Sequence, residues 1–194
     1  MRTLSSTPRL YVIDAFAAEA EIAHVLTAAG APIELIRRGI RPAHNETGFS
    51  FEMPVHGDAV MEALAQRISQ TLGMDNEAGE TMRFRRYAVG ESHPLHKDVW
   101  QIGDVHLVVT TLLYLTDVEA GGETYFPRSQ PAPLLVKPCR GRLAIWFNHT
   151  PDGEVDEAAI HEARVVKRGV KCTITSFIYK PLAYAATKLR AEVA

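Results

Sequence analysis

The stretch "HPLHKDVW", from His93 to Trp100, puts two histidines, a lysine and an aspartate side by side. His96 and Asp98 stand two apart at the start of an extended segment. In a strand, residues i and i+2 project from the same face. One imidazole and one carboxylate can then reach a single metal ion without contorting the backbone. An HxD pair alone occurs often by chance, so its meaning depends on a third ligand. His161, which opens the β-rich run "IHEARVV", is the candidate. Two histidines and one carboxylate on one side of an octahedron leave three positions open, the arrangement of non-heme Fe(II) oxygenases. Ten residues after His161, Lys171 opens the last long β-rich run. A lysine there would anchor an acidic co-substrate that chelates the open face.

The other histidines read differently. His24 lies in a helical pattern and His44 and His56 in a turn-rich region, as solvated or structural groups. His106 is read as lining a flap, and His149, in "FNHTPDGEVD", as part of an exposed turn. Trp146 and Phe147 are expected in the core. Cys139 and Cys172 form no CxxC and are expected as free thiols in a reducing compartment, which with the N-terminus "MRTLSSTPRLYVIDAF" points to a cytoplasmic location.

Two helical patterns come first. "DAFAAEAEIAHVLTAAG" predicts a helix capped by Asp14 and ended by Gly30, with Phe16, Ile22, Val25, Leu26 and Ala29 on one face. "GDAVMEALAQRISQTLG" predicts a second, with Asp58 as cap, a stripe of Val60, Leu64, Ile68 and Leu72, and Gly73 at its end. Between them, residues 41–54 are rich in turn formers and predict a flap. After Glu80 the chain changes to short β-rich runs separated by Gly, Pro and Asp. Helices first and many strands afterwards predict a mainly β protein with flanking helices (α+β): a jelly roll with N-terminal helices on its outside. At 194 residues a single domain is expected, with residues 1–80 as helical support and flap, 81–180 as jelly-roll core and 181–194 as a C-terminal helix.

With 46% hydrophobic and 23% charged residues and a net charge of −2, the composition is that of an ordinary globular protein. It gives no reason to expect nucleic acid or a membrane as partner.

In order and spacing, "YAVGESHPLHKD", "TTLLYLTDVEAGGETYFP", "KPCRGRLAIWFN" and "HEARVVKRGVK" resemble the prolyl 4-hydroxylase-like branch of the Fe(II)/2-oxoglutarate-dependent dioxygenases. "YVIDAFAAEAEIAHVL" and "VMEALAQRISQTLGM" extend the resemblance over nearly the whole chain. It implies a double-stranded β-helix, Fe(II), 2-oxoglutarate and O2, with ascorbate as a candidate reductant. His96, Asp98 and His161 resemble the iron ligands. Lys171 resembles the base that pairs with the distal carboxylate of 2-oxoglutarate, and Tyr114 the tyrosine that hydrogen-bonds it. Strand parity places Lys171, Thr173, Thr175 and Phe177 on one face, and Thr110, Leu112 and Tyr114 on another. Tyr87 and Thr173 are expected to border the co-substrate, and the "GGETYFP" turn to bring Thr124 near the iron. The implied reaction oxidises an unactivated C–H bond and releases succinate and CO2. Related halogenases replace the carboxylate ligand with a small residue, so Asp98 favours hydroxylation.

Three substrate-side positions depart from the peptidyl-proline hydroxylase pattern. His93 stands where a tyrosine is usual, Leu107 where an arginine is usual, and Phe177 where a tryptophan is usual. With Trp100 and Thr124, they predict a pocket for a small-molecule substrate such as a free amino acid. Peptidyl prolyl 4-hydroxylation is the alternative. Two more distant classes stay open: a cupin-type metalloenzyme without 2-oxoglutarate, and a non-catalytic binding module. A homodimer is one candidate assembly.

Overall fold

The structure is a computed structural model that describes residues 1–38, 48–76 and 79–182. In chain order it contains β1 (Arg2–Ser6), β2 (Arg9–Ile13), α1 (Glu19–Arg37), β3 (Phe49–Pro54), α2 (Ala59–Leu72), β4 (Thr81–Tyr87), β5 (His93–His96), β6 (Gln101–Ile102) and β7 (Val105–Tyr114). There follow β8 (Val118–Gly121), β9 (Thr124–Phe126), β10 (Leu134–Val136), β11 (Leu143–Phe147), a 3-10 turn (Glu157–Ala159), β12 (His161–Ala163), β13 (Val166–Gly169) and β14 (Lys171–Lys180). The larger antiparallel sheet runs β1-β2-β11-β7-β14-β4-β3, with β6 attached to β7. A smaller sheet runs β10-β9-β12-β5, and β13 pairs with β8. The sheets form a double-stranded β-helix.

Strand alternation divides the large sheet into two chemistries. On β14, Cys172, Ile174 and Ile178 join a core with Ile22, Val25 and Ala29 of α1 and Met61, Leu64, Ile68 and Leu72 of α2. On β11, Leu143, Ile145 and Phe147 do the same, so both helices cover the outer face. Alternate residues point the other way. There Leu10, Val12, Leu112, Tyr114, Ala144 and Trp146 meet Phe126 and Val136 of the small sheet in a second core. The polar members of that inner face, on β4, β7 and β14, are left to form a site.

α2 matches its prediction at both ends. The Asp58 carboxylate accepts from the backbone N–H of Val60 and Met61 at 3.0 and 3.1 Å. Gly73 takes the left-handed conformation, φ 61°, and donates to Gln70 O at 3.3 Å. Met61, rather than Val60, completes the buried stripe. Asp58 also bonds His24 Nε2 of α1 at 2.7 Å. That bond chiefly, with the two backbone donors, holds its carboxyl below the ordinary value against burial. Asp58→Ala should cost about 1 kcal/mol, which lowers Tm by about 2–4 °C in a chain of this size. Because the folded-state pKa is depressed, the stabilisation is present above the ordinary carboxylate pKa and fades as pH falls through the folded value. Thermal melts of both proteins at pH 7 and at acid pH check the size and the sign.

Four expectations about the first half are corrected. Residues 2–6 and 9–13 form strands, and β2 completes the inner core. α1 starts at Glu19, not after Asp14. Arg142 Nε holds the Asp14 carboxylate at 2.5 Å, and the N–H groups of Phe16 and Ala17 bond Gly141 O, tying this stretch to the sheet. Glu21 instead accepts from Ala18 N–H at 2.8 Å at the helix start. Gly30 does not end α1, which runs through it and Pro32 to Arg37. The apolar spacing Ile22, Val25, Ala29, Ile33 continues across the glycine, and this burial outweighs its penalty of about 1 kcal/mol. Of the expected flap, residues 49–54 are β3, an edge strand with Phe51 and Met53 in the core. Residues 41–47 of that flap, His44, and residues 183–194 of the expected C-terminal helix lie outside the described residues. No described helix is long and apolar enough to cross a membrane.

Candidate metal centre and active site

Pairing in the small sheet brings distant residues together. β12 runs antiparallel to β5 with His161 opposite His96, and their rings lie 4.3 Å apart. Asp98 follows β5 directly and turns inward to 3% exposure. Its Oδ1 is 3.5 Å from His96 Nε2 and its Oδ2 3.8 Å from His161 Nε2. All three ligand atoms lie within 4.8 Å of one another.

Neighbouring groups set the orientation of this cluster. His96 Nδ1 bonds Pro94 O at 2.8 Å and His161 Nδ1 bonds Ala159 O at 2.9 Å. A carbonyl can only accept, so each Nδ1 carries the proton and each Nε2 presents a lone pair. Thr110 donates to Asp98 Oδ2 at 2.8 Å, and Asn148 Nδ2 donates to Thr110 Oγ1 at 3.0 Å. Burial pushes the Asp98 pKa up, but the two imidazoles and the Thr110 hydroxyl outweigh it and hold it at about 2. Burial lowers His161 to about 4. An ionised Asp98 and a neutral His161 suit the binding of a divalent cation. The donor set therefore fits Fe(II).

The cluster sits in a small cavity of about 50 Å3 that opens to solvent. Lys171 and Thr173 of β14 lie further along the same wall. Lys171 is 2% exposed and makes no ion pair among the described residues. Its ammonium sits 5.4 Å from the Tyr87 ring centre and 5.6 Å from that of Tyr114. Burial chiefly, then the positive charge of Arg85, lowers its pKa to about 7 against a smaller opposing effect of Glu123. Thr173 Oγ1 is buried without a hydrogen-bond partner among the described residues. A buried ammonium without an ion pair and a buried hydroxyl without a hydrogen-bond partner, among the described residues, fit the distal carboxylate of 2-oxoglutarate.

The expected site residues divide. Tyr87, His93, Thr124, Lys171, Thr173 and Phe177 line the cavity with the three metal-ligand candidates. The His93 ring lies 4.5 Å from that of His96, and burial, then Arg85, lowers its pKa to about 3. Tyr114 stands behind the wall with its hydroxyl 2.6 Å from Thr124 Oγ1, so it touches the cavity through Thr124. The "GG" before Thr124 is required by close approach. Gly121 has φ +75°, and a Cβ there would lie 2.1 Å from Val165 O.

Leu107 is a correction. It is fully buried and lies opposite Tyr179 across the β7–β14 pair, but it is not among the residues that line the cavity. Trp100 is exposed and packs edge-on against Phe177 at 5.4 Å, bordering the cavity rather than lining it. His149 is buried, not in an exposed turn, and its ring pairs with that of His106. Trp146 is core as expected but also a cavity wall, 4.8 Å from the His161 ring. Arg85, Trp146 and Ala163 were missed as site residues. Counting by twos back from Tyr87 along β4 would have found Arg85.

Comparison with known proteins agrees with this chemistry. The family model described as the 2OG-Fe(II) oxygenase superfamily matches residues 82–179. The chain is 26% identical to "Probable prolyl 4-hydroxylase 4" of Arabidopsis thaliana, over 92% of this chain and 70% of that one. It is also 26% identical to "Probable prolyl 4-hydroxylase 7" of the same plant, over 91% of this chain and 64%, just under two thirds, of that one. Among solved structures, the viral collagen prolyl hydroxylase of Paramecium Bursaria Chlorella virus-1, in its 2OG complex, has the same fold. Its TM-score is 0.72 at 20% identity, covering 91% of this chain and 98% of that one. The matched segment runs from β4 to β14 and so contains His96, Asp98, His161 and Lys171. On that match, this chain belongs to the 2OG-Fe(II) oxygenase superfamily and is a prolyl 4-hydroxylase-like, 2-oxoglutarate-dependent dioxygenase.

Proposed function

We propose that this dioxygenase hydroxylates a prolyl C–H bond in a peptide, with His96, Asp98 and His161 holding Fe(II), and Lys171 and Thr173 holding 2-oxoglutarate. The observation that carries the site assignment is one cavity with a two-histidine, one-carboxylate cluster and a buried ammonium that has no counter-ion among the described residues. Fe(II) with O2 and 2-oxoglutarate supplies the oxidation of an unactivated C–H bond, with release of succinate and CO2. The chain does the positioning. Pro94 O and Ala159 O aim the imidazoles, Thr110 aims the carboxylate, and Trp146 and Leu112 exclude water.

The peptide reading is supported by the names of the relatives and by the surface around Asp98. Leu95, Val99, Trp100 and Ile102 are all exposed. Apolar side chains of this kind suit a substrate that extends beyond the cavity. A free amino acid is the second reading, favoured by His93 and Phe177 in the wall and by a second cation there, Arg85. Succinate release, measured with proline-rich peptides and with free L-proline, separates the two. Coupled hydroxylation of a peptide is expected. Turnover of free proline with peptides left at the uncoupled background would reverse the assignment.

A further inference from the structure

Among the described residues, most arginines are answered by acids, but not all. Arg83 Nε meets Glu52 Oε1 at 2.6 Å across the β3–β4 pair, and Arg67, Arg140 and Arg142 each hold a carboxylate. Arg85 breaks this pattern. It stands two residues after Arg83 on the same face of β4, so it points to the same side of the sheet. Opposite it, where Glu52 answers Arg83, the edge strand β3 carries Ser50. On its other side, β14 places Thr173. Among the described residues no carboxylate lies within ion-pair distance of Arg85. The hydrogen bond it makes is a long one, from Nη1 to Tyr87 Oη at 3.4 Å. Its side chain lines the cavity together with Lys171 and the metal-ligand candidates.

Charge balance then says what is missing. Asp98 is the only acid among the described residues lining this cavity, and Arg85 and protonated Lys171 both line it. A divalent metal adds two positive charges, and a 2-oxoglutarate dianion removes two. One positive charge stays uncompensated in a space where it is costly to leave a charge unpaired. Lys171 is enclosed by the Tyr87 and Tyr114 rings and answers one carboxylate. Arg85, half-buried and planar, can bind a second carboxylate through two parallel hydrogen bonds.

We infer that Arg85 is a specificity-determining residue that binds a carboxylate of the primary substrate. That carboxylate is the α-carboxylate of a free amino acid or an acidic group beside the reacting residue of a peptide. The inference deepens the proposed hydroxylase reading and rests on it for the reaction. The binding itself can be measured without turnover.

The test uses the full chain loaded with Mn(II) and 2-oxoglutarate, which bind without oxidation, and isothermal titration calorimetry. Two matched pairs of probes are titrated: L-proline against L-prolinamide, and a proline-rich peptide with Glu next to the proline against the same peptide with Gln. In at least one pair the carboxylate-bearing probe should bind about tenfold tighter or more, the scale of a partly buried charge pair. A preference in the first pair assigns Arg85 to a free acid, and one in the second assigns it to an acidic peptide. Arg85→Gln should erase the preference while 2-oxoglutarate still binds, and Arg85→Lys should keep part of it, so a folding defect in one variant does not decide the result. Equal binding within both pairs overturns the inference. So does a preference that survives in Arg85→Gln, or a loss of 2-oxoglutarate binding in Arg85→Gln with the preference unchanged. Failure of the hydroxylase reading shows separately, as absence of probe-dependent succinate release with Fe(II) and O2.

Discussion

His161→Ala should remove tight metal binding and, with it, substrate-dependent succinate release. His161 offers its Nε2 to the cluster while Ala159 O fixes its Nδ1–H, so the substitution removes an oriented ligand that a water molecule does not replace in kind. Loss of only an outer hydrogen-bond partner of a ligand typically costs about 10–100-fold in metal affinity. Loss of a ligand should exceed about 100-fold on the same scale. Thr110→Val supplies the internal comparison. It removes the donor to Asp98 Oδ2 but leaves all three ligands, and should fall in the 10–100-fold range. Asp98→Ala should abolish hydroxylation while leaving some metal bound through the two imidazoles. Anaerobic Fe(II) titration read by calorimetry, followed by succinate assays, orders the three variants. Wild-type metal affinity in His161→Ala, without added imidazole, would remove this residue from the centre.

Lys171→Ala should raise the KM for 2-oxoglutarate by at least about tenfold. Truncating one partner of a buried charge pair costs about 2–5 kcal/mol, and about 1.4 kcal/mol is a decade. The pH dependence adds a sharper signature. Lys171 titrates at about 7 in the free protein, with burial the main cause and Arg85 the second. A dianionic co-substrate binds the protonated form. Above pH 7 its affinity for the wild type should therefore fall, by about tenfold per pH unit while the bound complex keeps the proton. Lys171→Ala has no such proton to take up, so its weak affinity should be flat across the same range. Calorimetry in buffers of different ionisation enthalpy counts the proton directly. The stability sign is opposite. The unfolded chain keeps this lysine protonated up to about pH 10.4, so between about pH 7 and that value the unfolded state holds more protons and stability rises with pH. An unchanged KM in Lys171→Ala would pass the role to another base, with Arg85 the first to examine because it shares the cavity.

Much of the site was legible because its parts obey short-range rules. His96 and Asp98 are close in sequence, and a short extended stretch carries both to one place. The alternation along β14 is enough to set Lys171, Thr173 and Phe177 on the cavity side. α2 was legible at both ends because a cap is a local hydrogen bond. α1 was not, because Asp14 is claimed by Arg142, far along the chain, and Gly30 is overruled by packing on both sides of it. Leu107 rested on the family resemblance alone, and a matching position does not say which buried side chains reach the cavity wall.

The sequence by itself therefore determined the candidate ligands for a metal and a dicarboxylate, and the β-rich class of the chain, through residue type, period and family resemblance. The tertiary structure decided who meets whom. It set His161 opposite His96 through the β5–β12 register, drew Trp146 from the core into the cavity wall, and gave Arg85 a serine where Arg83 has a glutamate. Those are pairings between strands far apart in the chain, and no local preference encodes a register. It is fixed only when both faces of the large sheet are buried at once, one under the helices and one against the small sheet.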